Sequence, residues 1–264
     1  MEELKQYGIG RHISKNKSFI NTFTKWCQEC RNVTGNIIYP TQIFSGSPKS
    51  YKRSSVSDSD SLQMKELIAT TGLQFFIHSI YLLNLCRPRS DNEIAYEYFK
   101  KELIIGSRIG CKGVVVHIGK RLKFPLELAL DTMNQNMISL GKYATEECPI
   151  LLETPAGQGT ETLVKYDEFI TFYQRFTEAQ RKKIKICIDT CHVYAAGHCP
   201  LKYIQDWYSQ YPESLVLIHF NDSKWECGSC KDRHEYPGNG CIGLDKMMEV
   251  AEFCNSVNLP MVYE

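Results

Sequence analysis

At 264 residues, 43% hydrophobic and 23% charged, the chain has the composition of an ordinary globular protein with one sizeable core. Its formal net charge of +1 makes no general case for a nucleic-acid partner, so any such case must rest on a local site. No run approaches the roughly 18 apolar residues needed to span a membrane, and the opening MEELKQYGIGRH lacks a signal-peptide core.

In chain order, an apolar run at 7–12 reads as a strand and is followed by helical periodicity at 17–31. A second strand at 37–44 leads into a polar stretch, 45–61 (SGSPKSYKRSSVSDSDS), which has no periodicity and reads as a long loop. Strands then alternate with helices: 73–78, helix 91–109, 112–118, helix 125–145, 149–154, helix 165–175, 184–190, helix 199–211, 215–220, helix 244–257 and 260–264. Such alternation predicts parallel pairing through strand–helix–strand units, and eight strands predict closure into an α/β (β/α)8 TIM barrel forming one domain over 1–264. The runs are apolar throughout, as strands buried on both faces should be. A covering helix should follow the eighth strand. The chain reaches Glu264, so either the sequence is truncated or the barrel closes without its last helix.

Twelve cysteines without a secretion signal indicate a reducing, intracellular compartment with mostly free thiols. The C-x-x-C pairs Cys27/Cys30 and Cys227/Cys230 leave two readings open, a four-cysteine zinc site or separate surface thiols.

The strands share a second property: they close on metal-ligand residues. His78, His117, Glu153, Asp189, His219 and Glu264 stand at strand ends, and His192, Asp232 and His234 stand just past them. One histidine at a strand end is usually a satisfied polar residue. Repetition around a barrel is different, because the C-terminal strand ends share one rim, where barrel active sites lie. Imidazole and carboxylate are zinc donors. Nine of them are too many for one tetrahedral ion, and a carboxylate such as Glu153 can bridge two. His12 is either a substrate-side residue or a structural one, and His198 reads as a loop residue or a support to the ligands.

The quoted residues also carry a resemblance. H-S-I-Y-L-L-N-L at 78–85, V-V-V-H-I-G at 114–119, L-L-E-T-P-A-G-Q-G at 151–159, C-I-D-T-C-H-V-Y-A-A-G at 187–197, H-F-N-D-S-K at 219–224, G-S-C-K-D-R-H at 228–234, G-N-G-C-I-G at 238–243 and the final Y-E resemble, in order, the endonuclease IV family of zinc-dependent apurinic/apyrimidinic endonucleases. Before residue 73 the match is weaker, surviving mainly as I-G-R-H at 9–12. The resemblance implies three zinc ions: one on His78, His117 and Glu153, one on Glu153, Asp189, His219 and Glu264, and one on His192, Asp232 and His234. Glu153, Glu264 and His117 would be catalytic. The substrate would be double-stranded DNA containing abasic sites, nicked 5′ to the lesion by a monomer to leave a 3′-hydroxyl and a 5′-deoxyribose phosphate, with trimming of blocked 3′ ends as a further activity. Tyr81 and Leu82 match the family's DNA-penetrating loop, with barrel packing as the plainer reading. Lys49, Tyr51, Lys52 and Arg53, together with His12, are candidate DNA contacts beside the reading of a solvated polar loop. Two rivals stand: a metal-dependent sugar isomerase or epimerase on the same barrel, and a non-catalytic binder of damaged DNA.

Overall fold

The computed structural model describes residues 3–35, 37–52 and 55–264, so Arg53 lies outside the described residues. The strands are β1 (Gly10–His12), β2 (Thr41–Phe44), β3 (Phe75–His78), β4 (Val114–His117), β5 (Ile150–Glu153), β6 (Ile184–Asp189), β7 (Leu215–His219), β8 (Asp222–Ser223), β9 (His234–Glu235) and β10 (Met261–Tyr263). Eight of them close into a barrel in the order β1-β10-β7-β6-β5-β4-β3-β2, every neighbouring pair parallel. β8 and β9 form a separate antiparallel hairpin beyond β7.

The crossovers are α1 (Phe19–Thr34), α2 (Asp58–Thr71), α3 (Glu93–Ile109), α4 (Leu126–Leu140), α5 (Tyr166–Tyr173), α6 (Glu178–Arg181), α7 (Thr190–Ala195), α8 (Pro200–Gln210) and α9 (Leu244–Ser256). α2 corrects the long-loop expectation. The serine-rich stretch ends at Ser57, whose side chain accepts from Asp60 N while the Asp60 carboxylate accepts from Ser57 N. That reciprocal pair satisfies two otherwise orphaned amides and starts a helix, so S-D-S-D is a first turn rather than solvated loop. The helix read at 125–145 stops at Leu140, where Gly141 caps it.

Because side chains alternate along a strand, the barrel interior is built in layers. Phe76, Val115, Leu151, Cys187, Leu217 and Val262 pack together as one buried apolar layer inside the barrel. The alternating residues Ile77, Val116, Leu152, Ile188 and Ile218 belong to the larger core between barrel and helices. Two residues beyond each member of the inner layer stands His78, His117, Glu153, Asp189, His219 or Glu264. The polar ring is thus the next inward layer, seated on an apolar floor.

Closure depends on a short seam. β1 meets β10 through Gly10↔Val262 and Arg11↔Tyr263, and β1 meets β2 through Arg11↔Thr41 and His12↔Gln42. At Gly10 an added Cβ would lie 1.6 Å from the Pro40 carbonyl oxygen. A backbone atom cannot rotate away, so only glycine lets β1 approach. Gly10→Ala should destabilise the fold at or above the upper end of the roughly 1–3 kcal/mol typical of overpacking. Denaturant unfolding measures this, and a wild-type midpoint would show that the seam tolerates a methyl group.

Candidate metal centre

Glu153 sits at the middle of the polar ring with 1% exposure. Its Oε2 lies 3.2 Å from His78 Nε2 and 3.0 Å from His117 Nε2. Its Oε1 lies 2.9 Å from His219 Nδ1 and 3.5 Å from His192 Nδ1. One carboxylate therefore faces imidazoles on two sides. Glu264 Oε2 comes within 3.4 Å of His219 Nδ1, and Asp189 Oδ2 within 3.7 Å of His219 Nδ1 and 3.5 Å of His234 Nε2. Asp232 Oδ1 lies 3.2 Å from His192 Nε2 and 3.3 Å from His234 Nε2. His78 and His219 stack at 5.7 Å between ring centres, so all nine expected donors share one pit.

The charges hold one another. Burial pushes the Glu153 carboxyl up, but the His117 and His219 imidazoles outweigh it and hold it well below the usual carboxylate range. Glu264 is lowered in the same way, burial being outweighed by His219, His12 and His78. Burial pulls His219 and His192 down, yet both end well above ordinary histidine: His219 beside Cys187, Glu264 and Glu153, His192 beside Asp189, Asp232 and Glu153. Asp232 falls to about 2, with His192 outweighing burial. The donors are nitrogen and oxygen only, a set that suits zinc-type ions. Atoms close enough to share an ion fall into two groups among the described residues: His78, Glu153, His219 and Glu264; and Asp189, His192 and His234.

The rings are aimed by their other nitrogens, as metal-ligating histidines require. His78 Nδ1 donates to the Ser79 carbonyl at 2.7 Å, and His192 Nδ1 has the Thr154 carbonyl at 2.9 Å. Gln42 fixes His219. Its amide nitrogen donates to Glu264 Oε1 at 2.7 Å, leaving its oxygen to accept from His219 Nε2 at 2.8 Å. Asn221 joins two acidic donors, giving Nδ2–H to Asp189 Oδ2 at 2.7 Å and accepting the Glu264 amide at 2.8 Å. Beneath β2 and β3, the buried Glu102 accepts from the hydroxyls of Ser45 and Ser79, the residues that follow Phe44 and His78.

His12 lies at the rim, its Nδ1 3.4 Å from Glu264 Oε1 and its ring 4.5 Å from Phe44. A groove of about 790 Å³ runs outward from His12 and Phe44 past Lys15, Pro48 and Lys52. Lys49 is exposed on the same loop. Tyr81 and Leu82 are 54% and 45% exposed, so neither is barrel core, and the Tyr81 ring stands 5.7 Å from that of His117. His198 is a loop residue, bonded to the Val164 carbonyl and set against Tyr203. The C-x-x-C pairs are not four surface thiols: Cys27 and Cys30 are buried and Cys227 and Cys230 exposed. No cysteine joins either donor group among the described residues.

A family pattern described as a Xylose isomerase-like TIM barrel matches residues 41–255. A protein of Haloarcula marismortui named probable endonuclease 4 is 31% identical over 232 residues, 84% of this chain and 82% of its own length. The chain belongs to the endonuclease IV family. The crystal structure of endonuclease IV from Thermus thermophilus superimposes with a TM-score of 0.80 at 23% identity, covering 97% of this chain and 91% of that one. A D-tagatose 3-epimerase-like protein reaches 0.69 at 15% identity, covering 97% and 89%. The fold is thus common to endonuclease IV and to an epimerase-like protein, and sequence likeness separates them.

Sequence reading passed over Gln42, Asn221 and Glu102. The amide of Gln42 beside Ile43 and Phe44 in a buried strand is the available signal, since a buried amide needs partners. Gln42→Ala removes the acceptor at His219 Nε2 and the donor at Glu264, so zinc affinity should fall by roughly 10–100-fold. Competition with a zinc-binding dye reads it out, and unchanged affinity would mean that Gln42 does not aim His219.

Proposed function

We propose that this chain is a zinc-dependent endonuclease that hydrolyses the phosphodiester 5′ to an abasic site in double-stranded DNA, leaving a 3′-hydroxyl and a 5′-deoxyribose phosphate. The observation that carries this reading is the buried Glu153 carboxylate facing imidazoles on both sides, a bridging arrangement, in a chain 31% identical to a probable endonuclease 4.

Three zinc ions would be held by His78, His117 and Glu153, by Glu153, Asp189, His219 and Glu264, and by His192, Asp232 and His234. When bound, zinc supplies Lewis acidity that polarises a phosphoryl oxygen and brings the pKa of coordinated water from about 15.7 toward 7. The chain's own residues do the rest. Glu264 keeps Oε1 tied to Gln42, so Oε2, 3.4 Å from His219 Nδ1, is the oxygen it would offer to a metal ion. His117 and Asp232, with side chains 32% and 33% exposed, are the donors most open to substrate. The apolar floor keeps water from below, so charge growing on the phosphate feels the fixed dipoles and cations of the pit in a low dielectric.

Recognition falls to the rim. Tyr81 and Leu82 are the exposed groups suited to enter the gap left by a missing base, and an unpaired nucleotide is the cheapest to swing out of a duplex. Lys52 and His12 line the groove where the phosphate backbone would run, and Lys49 is exposed on the same loop. Trimming of blocked 3′ ends uses the same chemistry, and the protein acts as a monomer.

The deciding assay is zinc-dependent nicking of an abasic duplex, with a free ketose as the control substrate. Conversion of the ketose without nicking would transfer the protein to the epimerases. Glu153→Gln should lower zinc content and cut nicking by about 100-fold or more; full cleavage at full zinc occupancy would remove the bridging role.

Tyr81→Ala should keep zinc content and melting temperature while weakening binding to the abasic duplex by roughly 1–3 kcal/mol, the scale of one stacking contact. Calorimetric melting and duplex titration on one preparation check this, and unchanged affinity would take Tyr81 out of recognition.

A further inference from the structure

Seven of the nine donors are placed by barrel strands or by α7, which follows β6 directly. Asp232 and His234 are not. They ride on an excursion beyond β7, outside the barrel ladder, that β8–β9 pairing closes and that the Gly228 and Cys230 amides tie to the Tyr194 and Ala195 carbonyls.

Asp222 stands at the base of that excursion with 0% exposure, and it is not one of the donors. Its Oδ1 accepts the backbone N–H of Ser223 at 2.7 Å and of Ile242 at 2.8 Å. Its Oδ2 accepts those of Gly238 at 3.1 Å, Gly240 at 3.0 Å and Gly243 at 3.3 Å. One buried carboxyl group thus gathers amides from both ends of the excursion. The G-N-G-C-I-G spelling follows from this wrap. An added Cβ at Gly240 would lie 2.4 Å from the Ser223 oxygen and 2.5 Å from Asp222 Oδ1. The same base carries the β8–β9 pairing, Asp222↔Glu235 and Ser223↔His234, and the Cys241 N–H donates to the Ser223 carbonyl at 2.7 Å. Amide donors from a loop wrapped round a carboxyl group add order to backbone that lies outside the barrel ladder.

We infer that Asp222 is the positioning residue for the outlying part of the metal centre, a clasp that sets Asp232 and His234 in place before an ion arrives. This rests on the proposed reading in which those two residues and His192 share one zinc ion. Asp222 touches no ion and no substrate; it acts through the loop.

The first test uses the wild-type protein, stripped with a chelator and then reloaded with zinc. Hydrogen exchange should find the amides of Gly238, Gly240, Ile242 and Gly243 protected in both states. Free exchange in the stripped protein would overturn the inference. The second test uses two variants that open the clasp from opposite sides, Asp222→Asn and Gly240→Ala, reloaded with zinc and counted by plasma mass spectrometry. Each should lose one zinc per chain, or bind the loosest one about 10–100-fold more weakly, while the zinc held by strand-borne donors stays. A variant that binds the wild-type number with wild-type affinity would overturn it, as would one that sheds all its zinc together, which is the signature of general unfolding. Should either variant fail to fold, the exchange measurement on the wild type decides. None of these readouts uses catalysis. A wild-type protein that loads zinc but leaves abasic duplex uncut would sink the proposed reaction and leave the clasp to be judged on zinc count and protection.

Discussion

A carboxylate with 1% exposure would be untenable alone, because a bare charge taken out of water costs several kcal/mol even after the surroundings relax. Imidazoles on both sides of Glu153 offset that cost. Much of the barrel serves that balance. β3, β4 and β7 each deliver an imidazole to it, and Gln42 turns the His219 ring so that Nδ1 faces the carboxylate. The apolar floor makes the interactions strong by lowering the dielectric, and it makes any missing partner expensive for the same reason. The site and the fold therefore cannot be separated at this level of the barrel: the groups that would receive cations are also the buried layer that stands on the apolar floor.

Around this centre the loops are tied to one another rather than left to find their places. Tyr81 N–H donates to the Pro48 carbonyl, joining the β2 and β3 loops. Asn84 donates to the Lys120 carbonyl and accepts the Lys120 amide, joining the β3 and β4 loops. Glu161 accepts the amides of Gly157 and Gln158 and pairs with Lys120 at 3.4 Å, joining β4 to β5. The rim is cross-braced, so the exposed Tyr81 and Leu82 stand on loops already tied to their neighbours.

The strands and the donors at their tips were legible in the sequence because both follow from local pattern. An apolar run two residues short of a histidine or carboxylate says that the polar group enters the same interior one layer higher, and six such runs say that the layer is a ring. What was not legible depends on distance along the chain. Gln42 meets Glu264, and Asn221 meets both Asp189 and the Glu264 amide, and no window of sequence contains such pairs. α2 was missed for a different reason. The alternation of serine and aspartate in S-D-S-D-S suppresses the hydrophobic period, so the helix is announced only by its capping pair, Ser57 and Asp60.

The seam between β1 and β10 carries an implication for how the molecule comes together. Gly10 and Arg11 pair with Val262 and Tyr263, residues from opposite ends of the described chain. Contacts so remote in sequence form slowly, since the chain entropy of a long loop must be surrendered before they contribute anything. Glu264 is carried into the pit by the strand that closes this seam. Until that strand slots between β1 and β7, the earlier strands present an open ring with one carboxylate missing. Barrel closure and ring completion are thus one structural event, because the strand that pairs with both β1 and β7 is the one that carries Glu264.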